Sequence, residues 1–235
     1  MYYFTIDDIN CESKGIVVTR RPKMPAPVRN YKEYDIPGRN GKLYKDLETY
    51  DDMIVSIECN YITHPDNWHQ RWRDIKRWLF ENNGKMRKLG LSDNPDFYFI
   101  IKKIELSDNE RTVIESGEFE ISLTLEAYQY LTVGGVPYDY KNVLYNPYNN
   151  TEPIYILKGE GMATLNINGH VCTANVGQSL IIDTVRRLSY KEDGTPQNTA
   201  IKGDYDLLGL VHGKNEITLE GEDISLKIIP NWRCV

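Results

Sequence analysis

From Glu118 to Tyr130 the chain alternates almost strictly. Phe119, Ile121, Leu123 and Leu125 fall on one side, Glu118, Glu120, Ser122 and Thr124 on the other. Successive side chains of a strand point to opposite faces, so this run reads as a strand with one buried and one wet face. Asp96 to Leu106 is a second long β-rich run, joined to the first through the charged stretch around Asp108-Asn109-Glu110-Arg111. The two read as a long hairpin. Met53 to Cys59 alternates in the same way, and Tyr2–Ile6 and Ile16–Thr19 are shorter β-rich runs. A sheet with one apolar face needs a second layer to cover it.

One helix can supply that layer. Trp68, Trp72, Ile75 and Leu79 recur at spacings of four, three and four, with Trp78 on the edge of the stripe. Gln70, Arg71, Arg73, Asp74, Lys76 and Arg77 occupy the other side. Pro65-Asp66 predicts the start, with Asp66 as N-cap, and Asn83-Gly84 predicts a left-handed stop. Three tryptophans on so short a helix make a face that packs on a sheet.

Arg20 to Pro27 is a loop punctuated by Pro22, Pro25 and Pro27. Beyond it, Ile36 to Leu43 reads Ile-Pro-Gly-Arg-Asn-Gly-Lys-Leu. Pro37-Gly38 fits a tight turn, because proline presets φ and glycine accepts positive φ. Asn40-Gly41 is a second turn signal. Turn chemistry alone fits an ordinary hairpin connection. It also lifts Arg39 on a short, stiff loop.

Thr132-Val133-Gly134-Gly135-Val136-Pro137 breaks the periodicity and sets a domain boundary. The predicted organisation is an N-terminal domain over 1–133, a linker over 134–151 and a C-terminal domain over 152–235. The last is read as strands alone. They are Pro153–Leu157, a hairpin over Ala163–Ala174 turning at Asn168-Gly169, Ser179–Asp183, a strand starting at Arg186, and a closing pair, Glu216–Glu220 with Ile224–Ile229, turning at Gly221. Short, evenly spaced strands argue a β-sandwich or jelly roll. The fold class is therefore mainly β, with an α+β N-terminal domain and an all-β C-terminal one.

Composition excludes several functions. A net charge of −6, spread evenly over both halves, is not a nucleic-acid surface. No apolar run reaches the roughly 18–20 residues of a membrane span, and the N-terminus lacks the regions of a signal peptide. Synthesis in a cytoplasm is expected. The four cysteines, Cys11, Cys59, Cys172 and Cys234, form no C-x-x-C pair and read as free thiols. Catalytic signals are scarce: there is no G-x-S-x-G, H-E-x-x-H or P-loop. His64 and His69 do not share a helix face, His170 and His212 sit beside turns, and Glu118/Glu120 suit a solvated strand face. No enzyme, cofactor or metal is expected.

The order of parts now has a counterpart. With Pro37-Gly38-Arg39-Asn40-Gly41, Glu152-Pro153-Ile154-Tyr155-Ile156 and Gly213-Lys214-Asn215-Glu216-Ile217-Thr218-Leu219 as its most specific segments, the whole chain resembles the distal tail proteins of long-tailed, non-contractile bacteriophages and prophages. The resemblance implies a hexameric ring at the virion tail tip, single or back to back. A tail-tube-like N-terminal domain would make the ring and a galectin-like C-terminal domain would project from it. The implied partners are further copies of the chain, the tail tube protein and a tail-associated fibre or lysin protein. Larger relatives carry a C-terminal insertion that binds host glycans or receptor-binding proteins, and this chain has no room for a large one. A closed ring joins one surface of a subunit to a different surface of its neighbour. Arg20, Arg21, Pro22, Pro37, Gly38, Arg39, Asn40 and Gly41 are the candidate contacts. A reading of another class is a saccharide or partner surface made by Tyr138, Tyr140, Tyr145, Tyr148 and Trp232, since aromatic rings stack on sugars and also populate protein interfaces.

Overall fold

The structure is a computed structural model, and it describes residues 2–81 and 86–235. The chain divides into two compact units, Met1–Gln129 with Val235, and Tyr130–Cys234. It is mainly β, with one main helix, as the alternation predicts.

In the first unit the strands are β1 (Phe4–Ile6), β2 (Ile9–Asn10), β3 (Val17–Val18), β4 (Arg29–Tyr34), β5 (Leu43–Tyr50) and β6 (Met53–Ile62). Helix α1 (Trp68–Phe80) follows, then β7 (Arg87–Leu91), β8 (Asn94–Leu106), β9 (Glu110–Val113) and β10 (Ser116–Leu131). The main sheet runs β2-β1-β7-β8-β10-β6-β3, with β9 also on β10. The β6–β10 pairing is unbroken from Ser116↔Ile62 to Leu125↔Met53. Alternation decides what it buries. Met53, Val55, Ile57, Cys59 and Tyr61 meet Phe119, Ile121, Leu123 and Leu125 inside, while Ile54, Glu58, Glu118 and Glu120 face out. Trp68, Ile75, Trp78 and Leu79 close the core from the helix side, with Trp72 packed against it.

A 3-10 turn over Pro65–Asn67 precedes α1, so Asp66 is not its N-cap. The His64 ring accepts from Asp66 N there, and Asn67, with no side-chain bond, stands at the cap position. The Asn83-Gly84 stop lies outside the described residues. At the described end, Arg87 donates to the carbonyls of Trp78 (3.3 Å) and Leu79 (2.6 Å) and pairs with Asp7 at 2.8 Å. A buried guanidinium thus satisfies carbonyls that a helix leaves open at its C-terminus.

The second unit contains β11 (Tyr138–Asp139), β12 (Val143–Asn146), β13 (Ile154–Ile167), β14 (His170–Asp183), β15 (Leu188–Tyr190), β16 (Ile201–Lys202), β17 (Gly213–Glu220) and β18 (Ser225–Ile229). The stretch 134–151, read as a linker, supplies β11 and β12, which pair with β18 and β17. Two expectations change here. First, Pro153–Leu157 and the first arm of the Asn168-Gly169 hairpin are one strand, β13, and the return arm continues through Asp183 as β14. Their pairing is continuous from Ile154↔Asp183 to Ile167↔His170. Second, β17 and β18 do not pair with each other. Both lie on β13, β18 along Ile154–Lys158 and β17 along Thr164–Ile167.

Glycine explains both changes. Gly159 and Gly161 have φ of 139° and 119°. A Cβ on Gly159 would lie 2.3 Å from the Asp223 carbonyl oxygen. The strand turns a corner there, which interrupts the apolar pattern without breaking the pairing, and its second edge changes partner across the bend.

Candidate functional site

The Ile36–Leu43 segment is the tip of a hairpin. β4 and β5 pair only with each other among the described residues, as a separate two-stranded sheet. The tip turn follows from its residues. Arg39 N donates to Ile36 O at 3.2 Å and Gly38 has φ of 79°, the geometry of a type II turn with proline second and glycine third. Every residue from Tyr31 to Lys45 is exposed, Pro37, Gly38, Arg39, Asn40 and Gly41 included. Among the described residues no carboxylate pairs with Arg39.

The base of the arm is held by charge. Arg29 grips Asp46 through Nε at 3.0 Å and Nη2 at 2.6 Å, and Glu48 N donates to the same carboxylate at 2.8 Å. Those contacts, Arg29 first, hold the Asp46 carboxyl below its ordinary range. Further out, Lys42 pairs with Glu33, and Tyr31 meets Tyr44 edge to face at 6.5 Å. The apolar content of the arm is unusual for its exposure. Val28, Tyr31, Tyr44 and Leu47 are 63%, 51%, 58% and 46% accessible. Lys32 and Lys45 stand directly opposite each other, a like-charge pair that weakens a hairpin. A lone two-stranded hairpin is marginal in water. This one carries apolar and cationic surface that its own unit does not cover.

Arg20 and Arg21 lie elsewhere on the unit. With Lys23, Met24, Ile54 and Glu58 they line an open cleft of about 350 Å³. Arg21 pairs with Asp93 at 2.5 Å, and Pro22 is buried. Burial and Asp93 together raise the Tyr2 hydroxyl to about 12. Glu58 also lines a neighbouring acidic cleft of about 290 Å³ with Glu110, Glu118 and Glu120. Glu58 and Glu120 are opposed across the β6–β10 pair, and Thr112 donates to Glu118 at 2.6 Å. Among the described residues no three potential metal ligands converge.

The aromatic set in the second unit does not gather on one surface. Trp232 is 6% accessible and belongs to the core, where the chain at Gly134 packs against it. Its ring is therefore unavailable for stacking on a sugar. Tyr140 and Tyr148 pack against the same core, and the Tyr140 hydroxyl donates to Ile217 O at 3.2 Å. Tyr138 is half-buried on β11, while Tyr145 on β12 is 65% accessible.

Sequence reasoning missed a cluster of buried amides. Asn146 and Asn215 are both fully buried. Asn215 accepts from Val211 N (2.8 Å) and Asn168 Nδ2 (2.8 Å) and donates to Val211 O (2.9 Å) and Gly213 O (3.1 Å). Asn146 donates to Asn149 O and accepts from Tyr148 N, both at 2.9 Å. The Gly213–Leu219 segment is thus built around one amide that closes the loop before β17. Its only sequence signal was an asparagine inside a strand, where that residue is depleted.

Two β-rich units, the first with one packed helix and an exposed two-stranded arm, define the class of fold. No family model matches the sequence, and no curated protein matches it. Among solved structures, the chain is similar to the Dit protein (gp 19.1) of phage SPP1, whose crystal structure is described as a paradigm of the hub adsorption apparatus in phages that infect Gram-positive bacteria. The TM-score is 0.69 at 12% identity, over 97% of each chain. The two proteins share a fold from end to end.

Proposed function

We propose that this chain is a structural component of a phage or prophage tail tip, a hub whose copies close into a hexameric ring between the tail tube and the tail-associated fibre or lysin protein. The end-to-end fold likeness to a hub protein supports the setting. The observation that carries the ring is the β4–β5 arm. Its unburied tyrosines, Val28, Leu47 and the opposed Lys32 and Lys45 are surface in want of a second chain. An arm that reaches a different surface of the next copy makes a head-to-tail contact, and such contacts form a ring when the rotation between copies closes and an open filament when it does not. On this reading the first unit makes the ring, and the second, a galectin-like sandwich, meets other tail proteins. No turnover or cofactor is needed. The chain would be made in the bacterial cytoplasm and act in the virion.

Excision of the arm tests this. Val28 and Asp51 are joined by a 2.9 Å backbone hydrogen bond, so residues 29–50 can be replaced by a short glycine link. Native mass measurement of the intact chain is expected to show a sixfold particle. The excised chain is expected to keep its circular dichroism and run as a monomer. An intact chain that stays monomeric at high concentration overturns the reading.

A further inference from the structure

Two Asn-Gly pairs among the described residues lie in hairpin connections, with their side chains under opposite restraint. Asn168-Gly169 joins β13 to β14, with φ of 52° and 90°. Its side chain is held at both ends, with Nδ2 donating to Asn215 Oδ1 and Oδ1 accepting from Glu216 N, each at 2.8 Å. Asn40-Gly41 lies at the exposed tip of the β4–β5 arm. Among the described residues nothing bonds the Asn40 carboxamide. Outside the chain neighbours, nothing lies within 4 Å of where a Cβ on Gly41 or on Gly169 would be, so room around the glycine is common to both and the side-chain restraint is what separates them. Glycine after asparagine also removes the side chain that would shield the peptide nitrogen.

We propose that Asn40-Gly41 is a self-modifying site in the free chain, and that Asn168-Gly169 is not. The Gly41 backbone nitrogen, giving up its proton to base, attacks Asn40 Cγ. The new N–Cγ bond forms, the Cγ–Nδ2 bond breaks, and Nδ2 takes up a proton and leaves as ammonia. The resulting five-membered imide adds one water and opens to aspartate or to isoaspartate, in which the main chain runs through the side-chain carbon. One water enters, one ammonia leaves, and nothing is oxidised or reduced. A neutral amide beside Arg39 becomes a carboxylate. Asn168 is protected because its carboxamide must first leave Asn215 and Glu216 N. The consequence for assembly rests on the function proposed above: a tip that has gained negative charge makes a poorer contact, and a tip already covered by a neighbour is shielded.

The purified full chain is incubated at mildly alkaline pH and peptide-mapped by mass spectrometry over time, with isoaspartyl methyltransferase as the probe for isoaspartate. Asn40 is expected to convert roughly thirtyfold faster than Asn168, the factor set by opening two hydrogen bonds. Gly41→Ala should slow Asn40 and leave Asn168 unchanged. The third pair, Asn83-Gly84, lies outside the described residues and is resolved as its own peptide. Equal rates at Asn40 and Asn168 overturn the proposal. So does an intact Asn40 in the protein when a synthetic peptide of residues 35–45 converts under the same conditions. The aged sample is then sized against a fresh one. Aged chain that has converted at Asn40 yet assembles as well as fresh chain counts against the contact reading and leaves the modification standing.

Discussion

Single residues decide whether the polar interior of this protein is a strength or a defect. Asn215 is fully buried and makes four hydrogen bonds, to the Asn168 side chain and to the Val211 and Gly213 backbone, so truncating it leaves all four unmade at once. An unsatisfied buried donor or acceptor costs roughly 1–3 kcal/mol. Asn215→Ala is expected to lower unfolding stability by about 3 kcal/mol in urea titrations, with the loop 208–213 losing hydrogen-exchange protection first. A loss under about 0.5 kcal/mol, the range of a surface change, would contradict that role. Asp46 gives a pH signature instead. Its carboxyl is held below the ordinary range by Arg29, then by Glu48 N. A depressed carboxylate contributes stability that is present above the unfolded-state value and is lost as pH falls through the folded-state one. The arm should therefore loosen in acid, below the usual carboxylate range. Tyr50, with Arg29 5.7 Å from its ring, is the reporter by NMR. Asp46→Asn should remove the acid transition and leave the arm loose at neutral pH.

At the scale of elements, sequence and structure agree wherever burial imposes a period. β6, β10 and the tryptophan face of α1 were legible because one side of each is in the core. The Asn168-Gly169 turn was legible because both residues occupy positive φ, which that pair tolerates best. The arm was not, because Arg29–Tyr34 and Leu43–Tyr50 bury neither face in their own unit and carry no alternation. Only its tip could be read. β13 was split in two because its corner glycines mimic a loop, and the partner exchange at that corner is a long-range event with no local pattern. The role of Arg87 was hidden for a similar reason, since its partners lie on α1 and at Asp7. Gly159→Ala places a side chain at φ 139° and 2.3 Å from Asp223 O, and should cost about 2 kcal/mol or more. Gly177→Ala, in open space on β14, should cost well under that in the same thermal-melt comparison. Arg87→Met should cost about 3 kcal/mol, because it strands the Trp78 and Leu79 carbonyls at the end of α1. Equal melting temperatures for Arg87→Met and the unaltered chain would show that the cap is dispensable.

For the whole molecule, the proposed ring calls for a surface that meets a second copy, and Arg39 is the sharpest probe of it. Its side chain is exposed and pairs with no carboxylate among the described residues, so reversing its charge breaks no ion pair among them. Reversing its charge should leave the monomer intact, with unfolding stability moved by no more than about 0.5 kcal/mol. In a ring the same residue would sit at a contact, where opposite charges speed encounter and like charges across the joint cost several kcal/mol. Arg39→Glu should then raise the concentration needed for half-assembly by about tenfold or more, the equivalent of about 1.4 kcal/mol. Arg39→Lys should keep most of the assembly, because the charge survives. Added salt should weaken assembly of the unaltered chain and narrow its difference from Arg39→Glu, since exposed charges are screened within about 8–10 Å at physiological ionic strength. Light scattering across a dilution series reads all three. If Arg39→Glu assembles at the same concentration as the unaltered chain, at low salt as well as high, the tip makes no contact between copies.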